Sequence, residues 1–417
     1  MAIQVFHRFA ASRDRLCAPT IIQKQRGTWR NPVLVGMGMI LLLALSACSS
    51  LRSQRPATME RAAFPGATSR GYPYQVLSVT WRSNLVKPDI SSINEPHQGV
   101  PTVSTDRELV FSGSSDGSLS CLDASSGTMR WRNLSKGPID SEPLVVDEMV
   151  YVGSTDGTVS AYRTRDGAAI WSYRVPGSVE GQLVRSGDRL LVVTDTNTLT
   201  CLNAQTGVFV WTYRRDVPTD RFQVKGVSSP TVVGDRVYVG FSDGFLVMVS
   251  LHDGSLQASK KLSEPGDRFT DVDTTPLLLD KLLYAGSFGS GVFALDPDTL
   301  EVKWRYKVEG PSSFALRDGT LYFSTADSTV VALDARSGKQ QWGFKTRKGQ
   351  VSQPVVTDLW LFASSSEYSL LVLDRKTGQL IQIMNPGKGS NAAPLVDDER
   401  LFWTSNGQIL YAMRLNK

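Results

Sequence analysis

A Gly followed four residues later by Trp recurs along this chain, each time closing a similar stretch of sequence. The pattern ends at Trp131, Trp171, Trp211 and Trp342, and a fifth copy reaches Trp304 with Leu300 in the Gly place. Ala258 and Gln382 hold the Trp place in two further copies, and Trp81 stands alone ahead of the first full one. Successive places lie 38 to 50 residues apart, a period that belongs to propeller blades rather than helical solenoids.

One copy, residues 143–175, shows what each builds. "PLVV" reads as a short inner strand with Pro at its first residue, where a missing N–H costs least. "MVYVGS" is a second strand rich in β-branched and aromatic residues. Asp156-Gly157 then suits the positive-φ positions of a tight hairpin. "TVSAYR" is the third strand, Gly167 allows the next turn, and "AAIWSYRV" is the fourth. The strands are almost wholly apolar, as expected when both faces of a sheet pack against neighbours.

The last copy stops after three strands, and the segment around Trp81 is a fourth strand without its first three. Joined, they complete a blade and remove two open sheet edges. The expected fold is all-β: an eight-bladed β-propeller of four-stranded antiparallel blades, closed by pairing of the N- and C-terminal strands. Seven blades with an unrelated tail would leave two orphan strand segments.

The chain begins differently. Residues 33–47 are an apolar stretch too short to span a bilayer as a helix, so a secretory signal is preferred to a membrane anchor. "LSAC", ending at Cys48, matches the bacterial lipobox, which implies a mature chain starting at a lipid-modified Cys48. Ser49 follows, where Asp would signal inner-membrane retention, so the outer membrane is the expected destination. Residues 1–47 are read as the signal, 48–75 as a flexible tether of Ser, Arg, Pro and Gly, and 76–417 as the propeller.

Of 45 Lys/Arg and 40 Asp/Glu, the first 47 residues hold six bases and one acid, which leaves the remainder balanced at 39 of each. Global charge therefore gives no case for nucleic-acid binding. Cys121 and Cys201 each lie ten residues before their Trp, in a column of otherwise small or apolar residues, and are expected to be buried, free and too far apart to pair.

No chemistry-bearing motif emerges. His252 sits in a polar turn and His97 in a long connection, with no ligand spacing between them and no Cys-x-x-Cys. There is no P-loop. The pairs Asp116-Gly117, Asp156-Gly157 and Asp243-Gly244 recur at one hairpin and are read as turns. No catalytic residue, cofactor or metal is therefore assigned. "ALDARSGKQQW", ending at Trp342, resembles the tryptophan-docking motif of pyrroloquinoline-quinone dehydrogenases, which are also eight-bladed. Their cofactor site uses adjacent cysteines, which this chain lacks. The resemblance implies the fold and not the activity.

The repeat also serves as a ruler. From the Trp place to the next inner strand the distance is 10 to 12 residues in five copies. It is 20 from Trp81 to Pro101, 19 from Trp211 to Pro230 and 18 from Ala258 to Pro276. The last two are consecutive, so two enlarged loops should stand side by side, and loops on a rigid scaffold are where recognition concentrates.

"DVDTTP", residues 271–276, with the lipobox and all eight repeats, resembles the BamB family, propeller lipoproteins of the outer-membrane β-barrel assembly machinery. The resemblance implies a non-catalytic scaffold that docks on POTRA domains of the machinery's barrel subunit and aids insertion of outer-membrane proteins. It places partner contacts on Asp271 and Asp273, and on Phe222, Val224 and Lys225 with Gly226 in the preceding loop. Phe222 and Lys225 stand where the family usually carries Leu and Arg, and Lys lacks Arg's bidentate fork. Phe222 and Val224 would supply an apolar interface core, and Lys225, Asp271 and Asp273 steering and register. Holding nascent outer-membrane strands at blade edges is a further implied role. A periplasmic quinoprotein or small-ligand propeller, or a module of another envelope complex, remains the alternative.

Overall fold

The computed structural model describes the backbone of residues 58–60 and, in full, residues 75–86, 99–216, 227–385 and 387–416. Among these there is no helix; the strands form eight antiparallel sheets, one per blade of a β-propeller. Blades one to seven take their four strands consecutively, as in blade two: Leu144–Val146, Met149–Gly153, Thr158–Arg163 and Ala169–Arg174. Blade eight joins Leu395–Asp397, Arg400–Thr404 and Ile409–Leu415 to Leu77–Asn84 from the other end of the chain. The closing pair runs from Leu77 opposite Leu415 to Asn84 opposite Ile409, with a register shift between Val79 and Trp81. The equivalent shift occurs just before the Trp in other blades, for example between Ala169 and Trp171. The expected eight-bladed closure is what the chain forms.

Burial follows strand position. Second and third strands are nearly continuous buried runs, whereas outer strands alternate exposed and half-buried residues. Each hydrophobic cluster spans two neighbouring blades, so the core is a ring of interfaces rather than one central mass. Cys121 and Cys201 are buried and free, and burial pushes both thiols up to about 12. His252 is exposed in its turn, while His97 lies outside the described residues.

The Gly–Trp repeat is an interblade lock. Six indoles donate their N–H to a backbone carbonyl of the following blade: Trp81 to Ala124, Trp131 to Thr164, Trp171 to Ala204, Trp211 to Leu251, Trp304 to Ala335 and Trp342 to Arg375, at 2.8–3.2 Å. The Gly of that following blade lies against the ring. A Cβ built on Gly167, at φ 71°, would sit 2.7 Å from Trp131 Cδ2. Only Gly supplies both the left-handed turn and the clearance. Trp81, alone in the sequence, docks on Gly127 of blade one in the same way.

Two interfaces lack the Trp. Ala258 faces Leu300, which takes the Gly place with its side chain buried and φ at 58°. Gln382 faces the seam where the chain ends meet. Its Oε1 accepts from the N–H groups of Val76 (2.9 Å) and Leu77 (3.2 Å), beside the Asn416 N–H bond to Val76 O at 2.8 Å.

One departure falls in the segment read as a tether. Thr58–Glu60 forms a strand antiparallel to Leu380–Asn385, the outer strand of blade seven, giving that sheet a fifth strand. Cys48 and the rest of residues 1–57 lie outside the described residues.

Candidate docking site

The enlarged connections mark the site. Residues 217–226, and with them Phe222, Val224 and Lys225, lie outside the described residues. The second connection, between Leu256–Lys261 and Leu277–Leu279, is described throughout. Asp267 accepts from Glu264 N–H (2.8 Å) and Ser290 Oγ (2.5 Å), and Glu264 also pairs with Arg305. Phe269 meets Phe288 edge-on at 5.4 Å between centroids, with the Arg268 guanidinium over its ring.

From there the chain is held against blade four. Thr270 Oγ1 donates to Ser242 O (2.8 Å) and Val272 N–H to Phe241 O (3.1 Å). The approach is so close that a Cβ on Gly240 would sit 2.1 Å from Val272 O. Thr274 Oγ1 accepts from Gly286 N–H (2.6 Å), while Ser228 Oγ donates to Thr274 O (2.9 Å). The same turn of blade four is fixed from its other side. Asn197 Oδ1 accepts from both Ser242 N–H and Oγ at 2.9 Å, and Arg215 Nε donates to Asp243 Oδ2 at 2.5 Å. The Arg215 guanidinium also lies over Phe245, 4.3 Å from its centroid.

These contacts frame a cleft of about 220 Å³ across blades three, four and five. Its walls include Glu180, Asp195, Asn197, Phe241, Asp271 and Asp273. Four of the described lining residues are carboxylates and none is basic. Asp271 is buried, at 2% exposure, and Asp273 is half-buried with no partner for Oδ1 among the described residues. Burial, and then the neighbouring Asp271 charge, push Asp273 up to about 7, while its own backbone N–H pulls the other way. Glu142, which accepts from Thr102 Oγ1 at 3.1 Å before the inner strand of blade two, is likewise raised by burial to about 7.

The structure thus brings Asp271 and Asp273 together in one cleft. Asp271 is the more deeply set of the two. Sequence reasoning missed Glu180, Asp195 and Asn197, which reach the cleft from blade three, and the Arg215–Asp243 pair. The only sequence signal for Asn197 was that "TNT" replaces the usual Asp-Gly hairpin.

Comparison with known proteins decides the family. The family model described as outer membrane protein assembly factor BamB matches residues 78–178, 150–344 and 326–417, which together cover the whole propeller. The chain belongs to the BamB family. BamB of Alkalilimnicola ehrlichii is 30% identical over 139 residues, 32% of this chain and 36% of the relative. BamB of Yersinia pestis is 24% identical over 132 residues, 30% of this chain and 34% of the relative. The aligned stretch thus spans about a third of these curated relatives. The crystal structure of BamB from Moraxella catarrhalis superposes with a TM-score of 0.71 at 20% identity, over 81% of this chain and 100% of that one. A quinohemoprotein alcohol dehydrogenase from Pseudomonas putida gives 0.66 at 12% identity, over 81% and 76%. Likeness at these identities shows a shared eight-bladed BamB-like fold and nothing about chemistry.

Proposed function

We propose that this protein is a non-catalytic scaffold of the outer-membrane β-barrel assembly machinery, held at the periplasmic face of the outer membrane by a lipid on Cys48. It docks on the POTRA domains of the barrel subunit and assists insertion of outer-membrane proteins. The observation that carries this reading is the coincidence of three things in one place. The repeat is interrupted there, the family's aspartates fall there, and a carboxylate-lined cleft is built there on rigid blade turns.

A cleft that carries Glu180, Asp195, Asp271 and Asp273 suits a basic side chain from a partner. A partner cation would favour the ionised form of Asp273, whose carboxyl burial raises to about 7. The apolar part of the contact is assigned to Phe222 and Val224, with Lys225 beside them. No cofactor or metal is assigned, and no enzymatic step is proposed.

An unbiased affinity purification from detergent-solubilised membranes tests the reading. The barrel subunit should be the principal co-purifying protein, and its absence from the recovered set would remove the proposed role. Fatty-acid labelling tests the anchor separately: label on the wild type that is lost in Cys48→Ser is expected, and label surviving that substitution would contradict it.

A further inference from the structure

The outer edges of the eight blades are not alike. Seven outer strands carry at least one Lys or Arg: Arg82, Arg130 with Arg132, Arg174, Arg214, Lys260 with Lys261, Lys303 with Arg305, and Lys345. Charges of this kind blunt a sheet edge against pairing with another strand. The outer strand of blade seven, "LIQIMN" over Leu380–Asn385, carries none. Its Ile383 is buried, at 4% exposure, where the equivalent Arg132, Ser172, Thr212 and Ser259 are exposed. This unprotected edge is the one that acquires a fifth strand, with Thr58 opposite Asn385, Met59 opposite Met384 and Glu60 opposite Ile383.

We propose that the outer edge of blade seven is a strand-accepting edge, and that its occupant is the chain's own linker, Thr58–Glu60. Two separate observations meet here: an edge without the usual charge, and a segment of this chain paired to it. The pairing turns a free tether into a strap. It rests on the anchored reading only for its consequence. With a lipid at Cys48, the ten residues from there to Thr58 reach at most about 35 Å, against roughly 100 Å for the whole linker to Leu77. Blade seven is then the edge held toward the membrane, and the cleft on blades three to five is kept at a fixed position around the ring from it.

Disulfide trapping in the full-length protein tests this. Thr58→Cys with Asn385→Cys should cross-link on mild oxidation at least tenfold more than Thr58→Cys with Arg174→Cys, which places the second thiol at the same position on blade two. Cys121 and Cys201 are buried and do not compete. The trapping is repeated in a Cys48→Ser background, so that loss of the anchor and loss of the strap are read separately. Equal cross-linking of the two pairs in both backgrounds would overturn the strap. Hydrogen exchange gives an independent readout: the amides within Ile383–Asn385 that face Thr58–Glu60 should exchange at least tenfold faster once residues 49–60 are deleted. Unchanged exchange would overturn the proposal as well.

Discussion

Ala258 and Leu300 face each other across the interface of blades four and five, in the places that Trp and Gly hold at six other interfaces. Bulk has moved from one side of the contact to the other. The small residue now stands on the outer strand, and Leu300 reaches into the space an indole would fill. Leu300 keeps the left-handed φ of the glycines it replaces, 58° against 68–72°, which is costly for a branched side chain.

Each half of this exchange should fail alone. Ala258→Trp would press an indole into Leu300 and destabilise by about 1–3 kcal/mol or more. Leu300→Gly would open a cavity worth about 2–5 kcal/mol, less about 1 kcal/mol from relief of the backbone. The double variant should recover most of the loss, measured as a double-mutant cycle in urea unfolding. Additive losses would contradict the exchange.

Turn strain and packing can be separated with two glycines. Gly187 has φ 59° and nothing within 4 Å of an added Cβ, whereas at Gly338, φ 68°, the Cβ would lie 2.7 Å from Trp304 Cε3. Gly187→Ala should cost about 1 kcal/mol from φ alone. Gly338→Ala should cost about 1–3 kcal/mol more through the displaced indole. Equal shifts in urea midpoint would show that the Trp contact carries little.

The seam between the chain ends depends on Gln382. Gln382→Ala leaves the N–H groups of Val76 and Leu77 without their acceptor, at about 1–3 kcal/mol. Exchange at amides 76–85 should accelerate before that of blade two, because the closing strand is held by no covalent hairpin. Uniform acceleration across the ring would argue against a local seam.

Two buried carboxyls should each contribute a loss of stability as pH rises from about 4 to about 7, opposite in sign to the contribution of carboxyls held low by hydrogen bonds, such as Asp116 and Asp327. In the folded chain Glu142 and Asp273 keep their protons up to about 7, whereas in the unfolded chain such carboxyls lose theirs near pH 4. Between these values these two groups bind fewer protons in the unfolded state, so their contribution to the slope is negative, and it levels off above about 7. Glu142→Gln with Asp273→Asn should remove this contribution and gain most at pH 8. A variant profile that runs parallel to the wild type over this window would contradict the burial of these groups.

The fold was legible because one lock repeats. Gly and Trp at fixed spacing, with Asp-Gly hairpins between, leave little choice of architecture, and the unmatched Trp81 predicted the closure that Gly127 completes. The site was legible only in part. Loop length pointed to residues 259–275, and the family resemblance to Asp271 and Asp273. The burial of that pair was hidden, because it arises from the turns of blades three and four folding over it. Glu180, Asp195 and Asn197 are remote in sequence and reach the cleft only through ring geometry. The paired strand Thr58–Glu60 lay in a stretch whose composition reads as tether, and its partner edge stands out only when all eight outer strands are compared.

The most direct measurement is the affinity of the purified protein for the isolated periplasmic domains of the barrel subunit, in wild type and in Asp271→Asn/Asp273→Asn. The substitutions keep side-chain shape and remove two of the cleft's four carboxylates, and a native thermal melt confirms that the blades are intact. Binding should weaken at least about tenfold, or about 1.4 kcal/mol. Undiminished affinity in a natively folded variant would contradict docking through this cleft.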